Sequence, residues 1–363
     1  MKLQVTQENL NKALNSVSRV ASTRATLPVL ANVLIKTSNN LLTISATNLN
    51  IAITHSIGAK VSTEGSITVP ARLMQDFISS LPSGIINLEL DGTKLKINTD
   101  KYTSSINGII SDDYPVMPSI ESKKSITIAA NKLKEALSQV IFTASSDETR
   151  PILTGVLLIT SNSKLYIAST DSYRLAEKEI TKQNQDIKIL VPASSMHELL
   201  RLLPDSSELI EIIYDENQVK FVLGEIELLT RLLSGNYPDY KKLIPEKFKT
   251  TAKLKRTDML NIVKVSSLFA KENAGSVKIE VNSADQSLFI RSIASQVGEN
   301  SASADAVANG DGEITLNSRY ILDALNVFSG EEIEFSFNEK LEPTMLSDPN
   351  QKDYIHIIMP LKS

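Results

Sequence analysis

Three segments of this chain repeat one another: VPARLMQDFISSL from Val69, VPASSMHELLRLL from Val191 and LNSRYILDALNVF from Leu316. They stand 122 and 125 residues apart, and each reads as a strand closing into a helix. A repeat of that length is a domain rather than one turn of a short-repeat solenoid. Each repeat also opens with its own strand-to-helix segment: KLQVTQENLNKALNSV from Lys2, SITIAANKLKEALSQV from Ser125 and TTAKLKRTDMLNIVKV from Thr250. Two helices per repeat are therefore expected.

The apolar positions agree with that count. Leu10/Ala13/Leu14/Val17, Met74/Phe77/Ile78/Leu81, Leu133/Ala136/Leu137/Val140, Met196/Leu199/Leu200/Leu203 and Ile321/Ala324/Leu325/Phe328 follow the i, i+3, i+4, i+7 stripe of a one-sided helix. The sixth stripe, Met259/Ile262/Val263, ends on Ser266 and is the weakest. Elsewhere the period is two. NVLIKTSNNLLTISAT, GVLLITSNSKLYIAST and SVKIEVNSADQSLFIRS read as hairpins turning on Asn, Ser and Asp; further hairpins follow, one with an Asp91-Gly92 turn. The expected fold class is α+β, three repeated domains of two helices and two sheets, over residues 1–119, 120–246 and 247–363.

At 363 residues and 42% hydrophobic, three domains of about 120 residues can each bury a core. The Pro-marked, charged stretches Ser119 to Lys124 and Pro245 to Lys249 read as linkers, and the small-residue stretch Ser295 to Gly312 as a long flexible loop. No apolar run reaches the roughly 18 to 20 residues of a membrane span, and MKLQVTQENL lacks the apolar stretch of a secretory signal. Zero cysteines rule out disulfides and thiolate metal sites, which fits the cytoplasm.

Residues that carry chemistry are sparse. His55, His197 and His356 show no metal-binding or triad spacing and read as surface or half-buried imidazoles. Asp112-Asp113 and Asp147-Glu148 sit beside Pro or Arg in loops, where adjacent carboxylates are usually solvated. Neither a GxxxxGK[ST] loop nor a GxGxxG fingerprint occurs. No catalysis, cofactor or metal is expected.

Charge separates by element. Over the six helix regions, taken as Glu8 to Arg24, Pro70 to Ser80, Ala129 to Ala144, Ala193 to Leu203, Lys253 to Lys271 and Asn317 to Phe328, the net charge is +7. The whole chain is −4, leaving −11 elsewhere. Basic helices on an acidic protein suit a surface that faces a polyanion; Lys-rich helix faces favoured by propensity and solvation give the same count.

The strings TRATLPVLANVLI (Thr23 to Ile35), TDSYRLA (Thr170 to Ala176), GNYPDYKKLIP (Gly235 to Pro245) and the terminal IIMPLKS occur in order across all three repeats. Together they resemble the bacterial DNA sliding clamps, the β subunit of DNA polymerase III. The resemblance implies two chains closed head to tail into a six-domain ring, with helices lining the hole and sheets forming the outer wall. Twelve helices at about 10 Å between axes make a ring roughly 38 Å across, or about 28 Å clear inside the helix radius, room for a duplex with a water layer. The implied function is processivity: the ring encircles double-stranded DNA without reading sequence and tethers the replicative polymerase, with the clamp loader and repair proteins docking through short peptides.

Carried onto this chain, the resemblance puts a DNA-contacting arginine at Arg24 and places Arg72 on the second helix. Lys12, Lys132, Lys134 and Arg201 join them by charge and helix placement. The implied peptide cleft gathers Thr170, Ser172, Tyr173, Arg174 and Leu175 with Pro238, Lys242 and Leu243. Its far side is Asn317 and Tyr320, Pro343 and Met345, and the tail Met359, Pro360, Leu361 and Lys362. Apolar and aromatic side chains there would make a pliable pocket, with Arg174 and Lys362 fixing a peptide's carbonyls or acidic groups. Ile106 and the pair Leu268/Phe269 match the homodimer seam.

The chain departs from the familiar pattern in places. Ser172 and Tyr173 stand for the common Gly and His, Lys242 for a usual Arg, and the tail ends Leu361-Lys362-Ser363. Two other classes fit a repeated, motif-poor, β-rich chain. A surface or carbohydrate-binding protein would carry a signal peptide and exposed aromatics, whereas this chain has no Trp and 5% aromatic residues. An enzyme would need polar groups brought together by folding alone.

Overall fold

A computed structural model describes residues 1–21, 27–122, 124–271, 274–294 and 298–362. The first repeat runs β1 (Lys2–Thr6), α1 (Gln7–Val17), β2 (Asn32–Ser38), β3 (Leu41–Thr47), β4 (Ile51–Gly58), β5 (Lys60–Thr63), β6 (Gly65–Pro70), α2 (Ala71–Ser80), β7 (Ile85–Asp91), β8 (Lys94–Asn98) and β9 (Thr103–Asn107). The second runs β10 (Ser125–Ala129), α3 (Ala130–Val140), β11 (Gly155–Ser161), β12 (Lys164–Thr170), β13 (Arg174–Lys182), β14 (Lys188–Pro192), α4 (Ala193–Leu202), β15 (Leu209–Tyr214), β16 (Gln218–Leu223) and β17 (Ile226–Arg231). The third runs β18 (Thr250–Lys255), α5 (Arg256–Phe269), β19 (Ser276–Asn282), β20 (Ser287–Ala294), β21 (Gly298–Asp305), β22 (Val307–Asn309), β23 (Gly312–Asn317), α6 (Ser318–Val327), β24 (Glu332–Phe337), β25 (Thr344–Asp348) and β26 (Gln351–Ile358).

Local chemistry accounts for these elements. The β2–β3 turn holds Asn39 and Asn40 at φ 49° and 59°, and the β11–β12 turn holds Asn162 and Ser163 at 50° and 56°. Two successive positive φ values make the tight hairpin turn that matches strand twist, and Asn tolerates them best after Gly. Thr6 caps α1 by accepting from the Asn9 amide. The stripe residues Leu10, Ala13, Leu14 and Val17 are fully buried, as are Met259 and Val263 of α5. The polar end of the α5 stripe is satisfied: Ser266 is also fully buried and donates to Asn300 Oδ1 of β21 at 2.9 Å.

Strand pairing joins the repeats. The chain forms two compact units, Met1–Asn131 with Arg201–Leu232, and Lys132–Leu200 with Leu233–Ser363. The first unit holds a five-stranded sheet, β5-β1-β7-β8-β9, and an eight-stranded sheet, β10-β15-β16-β17-β4-β3-β2-β6. Its joint is β17 on β4, antiparallel from Ile226↔His55 to Thr230↔Ile51. The second unit holds a nine-stranded sheet, β14-β11-β12-β13-β26-β25-β24-β18-β22, and a four-stranded one, β21-β20-β19-β23. There the joint is β13 on β26, from Arg174↔Ile358 to Lys178↔Tyr354. Two sheets are thus continuous through strands of successive repeats.

Three expectations are corrected. The stretch 295–312, expected as a flexible loop, is strand over most of its described part: β21 pairs with β20 from Ser287↔Asp305 to Ala294↔Gly298, and β22 pairs with β18. Its alternating small residues fit a half-buried ladder despite low β propensity, because neighbouring strands decide the outcome. The helices are shorter than taken, and as bounded here they carry a net +2, leaving −6 elsewhere. Lys253 and Lys255 belong to β18, where Lys253 pairs with Glu332 at 2.8 Å, and Arg19 and Lys271 lie beyond helix ends. Of the histidines only His197 is exposed; His55 and His356 are buried in β4 and β26.

Candidate functional site

The loop between β12 and β13 is a self-contained turn. Asp171 Oδ1 accepts from the amides of Tyr173 and Arg174, and the Thr170 hydroxyl donates to the Arg174 carbonyl at 2.7 Å while accepting from the Ser172 amide. Thr170, expected as a cleft residue, is buried and builds this turn. Ser172 sits at φ 79°, a conformation that a residue with a Cβ adopts at some strain, and its hydroxyl accepts from Arg150 at 3.3 Å. Tyr173 is left 55% exposed.

Arg174, expected to reach for a peptide, is also tied to the protein on several sides. Its guanidinium pairs with Asp171 at 3.1 Å and Asp323 of α6 at 2.6 Å, and donates to the Phe142 carbonyl at 3.0 Å. It also lies over the rings of Tyr320 and Phe142, at 4.6 and 5.4 Å. A side chain so enclosed fixes the turn against α6 and leaves few of its five N–H groups for a ligand. Burial, with the Asp171 charge added, holds the Tyr320 phenol above its ordinary range. Beside this cluster is a cleft of about 430 Å³ lined by Asp147, Arg150, Tyr173, Arg174, Arg319 and Tyr320. Asn317, another lining residue, caps α6 by accepting from the Arg319 amide.

Next along β13, behind that cleft, comes a buried apolar cluster. Leu157, Ala168, Leu175 and Ile357 form one face of the nine-stranded sheet, and Tyr237 and Tyr240 pack over it edge to face, ring centroids 6.4 Å apart. Ile152, Leu233, Ile244 and Met345 border the cluster half-buried. Burial pushes both phenols well above the usual tyrosine range. Pro238 and Lys242 are exposed, as is Leu243 (42%), on and beside the 3-10 turn Tyr240–Leu243. Pro343 is half-buried just ahead of β25. The tail closes the other side: the Met359 amide donates to the Tyr173 carbonyl at 2.8 Å and the Leu361 amide to Thr315 of β23 at 2.9 Å. Met359, Pro360 and Leu361 are half-buried and Lys362 exposed.

Of the expected cleft residues, Tyr173, Arg174, Asn317 and Tyr320 line one cleft of the second unit, and Leu175 and Met345 belong to the apolar cluster. Sequence reasoning passed over Tyr237, Tyr240 and Ile357, although both tyrosines lie within GNYPDYKKLIP. It also passed over Asp323 and Phe142, which carry no sequence signal because they lie 149 and 32 residues from Arg174.

The basic residues differ among themselves. Lys12 is exposed on α1, which packs beside α2 through Gln75 Nε2 donating to Asn11 Oδ1 at 3.0 Å. Arg72 on α2 is highly exposed, 3.9 Å from Asp76. Lys132 is exposed and Lys134 half-buried, both on α3. Arg201 donates to the carbonyls of Asn15 and Ser16 at 2.9 Å, so it caps the end of α1. Arg24 lies outside the described residues.

At the expected seam, Ile106 is buried opposite Leu95, on β9, the outer strand of the five-stranded sheet. Leu268 is 59% exposed and Phe269 half-buried at the end of α5. β21 is likewise an outer strand of its sheet.

Comparison with known proteins covers the same ground from end to end. Three family descriptions match in succession: DNA polymerase III beta subunit, N-terminal domain over residues 1–118, central domain over 127–239 and C-terminal domain over 241–362. The beta sliding clamp of Bacillus subtilis is 31% identical over 378 aligned residues, covering 100% of both chains. That of Synechocystis sp. is 31% identical over 389, covering 100% of this chain and 99% of its own. The crystal structure of the DNA polymerase sliding clamp from Bacillus subtilis shares the fold at a TM-score of 0.95 and 30% identity, covering 100% of this chain and 99% of that one. Alike in sequence and in fold along its whole length, the chain belongs to the DNA polymerase III beta subunit family, the bacterial sliding clamps.

Proposed function

We propose that two copies of this sliding clamp close into a ring around duplex DNA, and that each copy holds the replicative polymerase by a short peptide in the cleft that opens at Tyr173, Arg174 and Tyr320, next to the tyrosine-covered apolar cluster. A sliding clamp is a non-catalytic processivity subunit of DNA polymerase III, and the unbroken match through three successive clamp domains carries the reading. The three domains are taken as residues 1–119, 120–246 and 247–363. The clamp loader and repair proteins use the same cleft, and the protein works in the cytoplasm; among the described residues no helix is long and apolar enough to cross a membrane.

Each of the four open sheets leaves two outer strands, and two of these eight suit closure of the ring. β9 ends one sheet and β21 another, and an open edge is a template for a strand from a second chain. We read the dimer seam as the β9 edge of one copy against β21 and the Leu268 end of α5 of the other. Lys12, Arg72, Lys132 and Lys134 then supply a screened, sequence-blind attraction, to which Arg24 adds, while Arg201 acts on the helix end that it caps.

The test loads the protein by its clamp loader onto nicked circular and onto linear duplex, then raises salt to about 1 M, where the Debye length is roughly 3 Å. Retention on circles with loss from linear molecules is expected. Equal, salt-driven loss from both would mean an ordinary phosphate-dependent binder and would overturn the ring.

A further inference from the structure

On β13, Leu175 and Glu177 project to the same face, and that face carries the apolar cluster. Glu177 is 6% exposed, set between Ala168 of β12 and Ile355 of β26. A carboxylate at such a place has to be paired. Its partner is Lys241, whose ammonium lies 2.5 Å from Glu177 Oε2. The same ammonium sits over the rings of Tyr166, at 4.1 Å, and Tyr240, at 5.5 Å. Glu177's charge also adds to burial in holding the Tyr240 phenol in its neutral form.

Lys241 belongs to the turn Tyr240–Leu243, whose Tyr240 lies in the apolar cluster with Leu175 and which the cluster-bordering Ile244 follows. The turn's backbone bonds, Tyr240 N to Pro238 O, Lys242 N to Asp239 O and Ile244 N to Lys241 O, are local: they shape the turn without tying it to the sheet. Lys242 pairs with Asp239 within the same segment, and both are well exposed, which adds little. What fastens the turn is the packing of Tyr237 and Tyr240 and the charge contact of Lys241. We infer that Glu177 is a positioning residue, holding Lys241 and thereby the Tyr240–Leu243 turn as one wall of the docking cleft. The inference rests on the peptide reading of that cleft.

The test measures binding of a fluorescent Gln-Leu-x-Leu-Phe peptide to the full chain by anisotropy, alongside the thermal midpoint of each variant. Glu177→Gln and Lys241→Met are each expected to weaken the peptide roughly tenfold, the scale of coupling between contacting groups. Lys241→Arg, which keeps the charge, should bind as the parent does. The double variant should lose less than the sum of the two single ones, because both remove the shared Glu177–Lys241 contact. Weakened affinity at an unchanged midpoint separates positioning from general stability. If Glu177→Gln does not fold, the comparison of Lys241→Met with Lys241→Arg decides, since Lys241 lies on the exposed side of the pair. Parent-like affinity in Lys241→Met, or losses that add in the double variant, would overturn the inference alone. Failure of the parent chain to bind would overturn the cleft reading and the inference with it.

Discussion

His55 and His356 are buried and ionisable, and neither gains an anionic partner. His55 Nδ1 lies 3.1 Å from the Ser16 hydroxyl, and burial with nearby Lys12 lowers its pKa to about 4. His356 is stacked on Phe142 at 5.6 Å and 7°, and burial with Arg174 lowers it to about 3. In the unfolded chain both take up protons near pH 6.5, while the folded protein refuses them until pH 4 or below. Stability is therefore full above pH 6.5 and falls as pH drops, to the lower bound set by the folded value. For His55 the loss is on the order of 3 kcal/mol by pH 4. Urea titrations between pH 7 and 4 should show that slope, and His55→Gln should flatten it. An equal slope in the variant would assign the pH dependence to other groups. Arg174 makes the complementary point: resemblance alone names it as a cleft residue, and the structure adds the two carboxylates and two rings that hold it.

Among the elements, the tail and β21 show how little local propensity decides. The tail residues Met359 to Lys362 form no strand or helix, yet two backbone hydrogen bonds pin them to the turn after β12 and to β23; on the proposed reading their side chains wall the peptide cleft. Deleting Met359 to Ser363 removes two hydrogen bonds worth about 1 kcal/mol each and little of the core. Removing an apolar wall should cost a docked peptide roughly 30-fold or more in affinity, the effect of a hot-spot residue. A truncated chain with its thermal midpoint nearly kept and its peptide binding gone is the expected result. Undiminished affinity would place the peptide elsewhere. β21 is the opposite case: a small-residue segment that by composition looks unstructured is ordered by an eight-residue ladder and by Asn300 receiving the Ser266 hydroxyl.

For the whole molecule, the seam prediction is the decisive one. Leu268 is 59% exposed on its own unit, so Leu268→Asp should leave the isolated fold intact. In a closed seam the same aspartate would be buried without a partner, at about 3–5 kcal/mol per copy. Light scattering should then find a 39.8 kDa monomer where the parent chain is twice that mass. A variant that stays dimeric would move the seam away from the end of α5.

Much of the architecture follows from the chain read in order. The repeats, the stripes of α1 to α4 and α6, and the Asn-turned hairpins depend on contacts between near neighbours, and those are written locally as periods of 3.6 and 2. The Asp171 turn and the apolar cluster were half legible for the same reason: Thr170 to Leu175 and Pro238 to Leu243 are compact strings. What only the tertiary structure decided is what those strings meet. The pairing of β17 with β4 and of β13 with β26, the capture of Arg174 by Asp323, the Lys241 contact on Glu177 and the burial of His55 and His356 each join residues far apart in sequence. A period along the chain says which face of a strand is apolar; it does not say which strand, helix or charge will cover it.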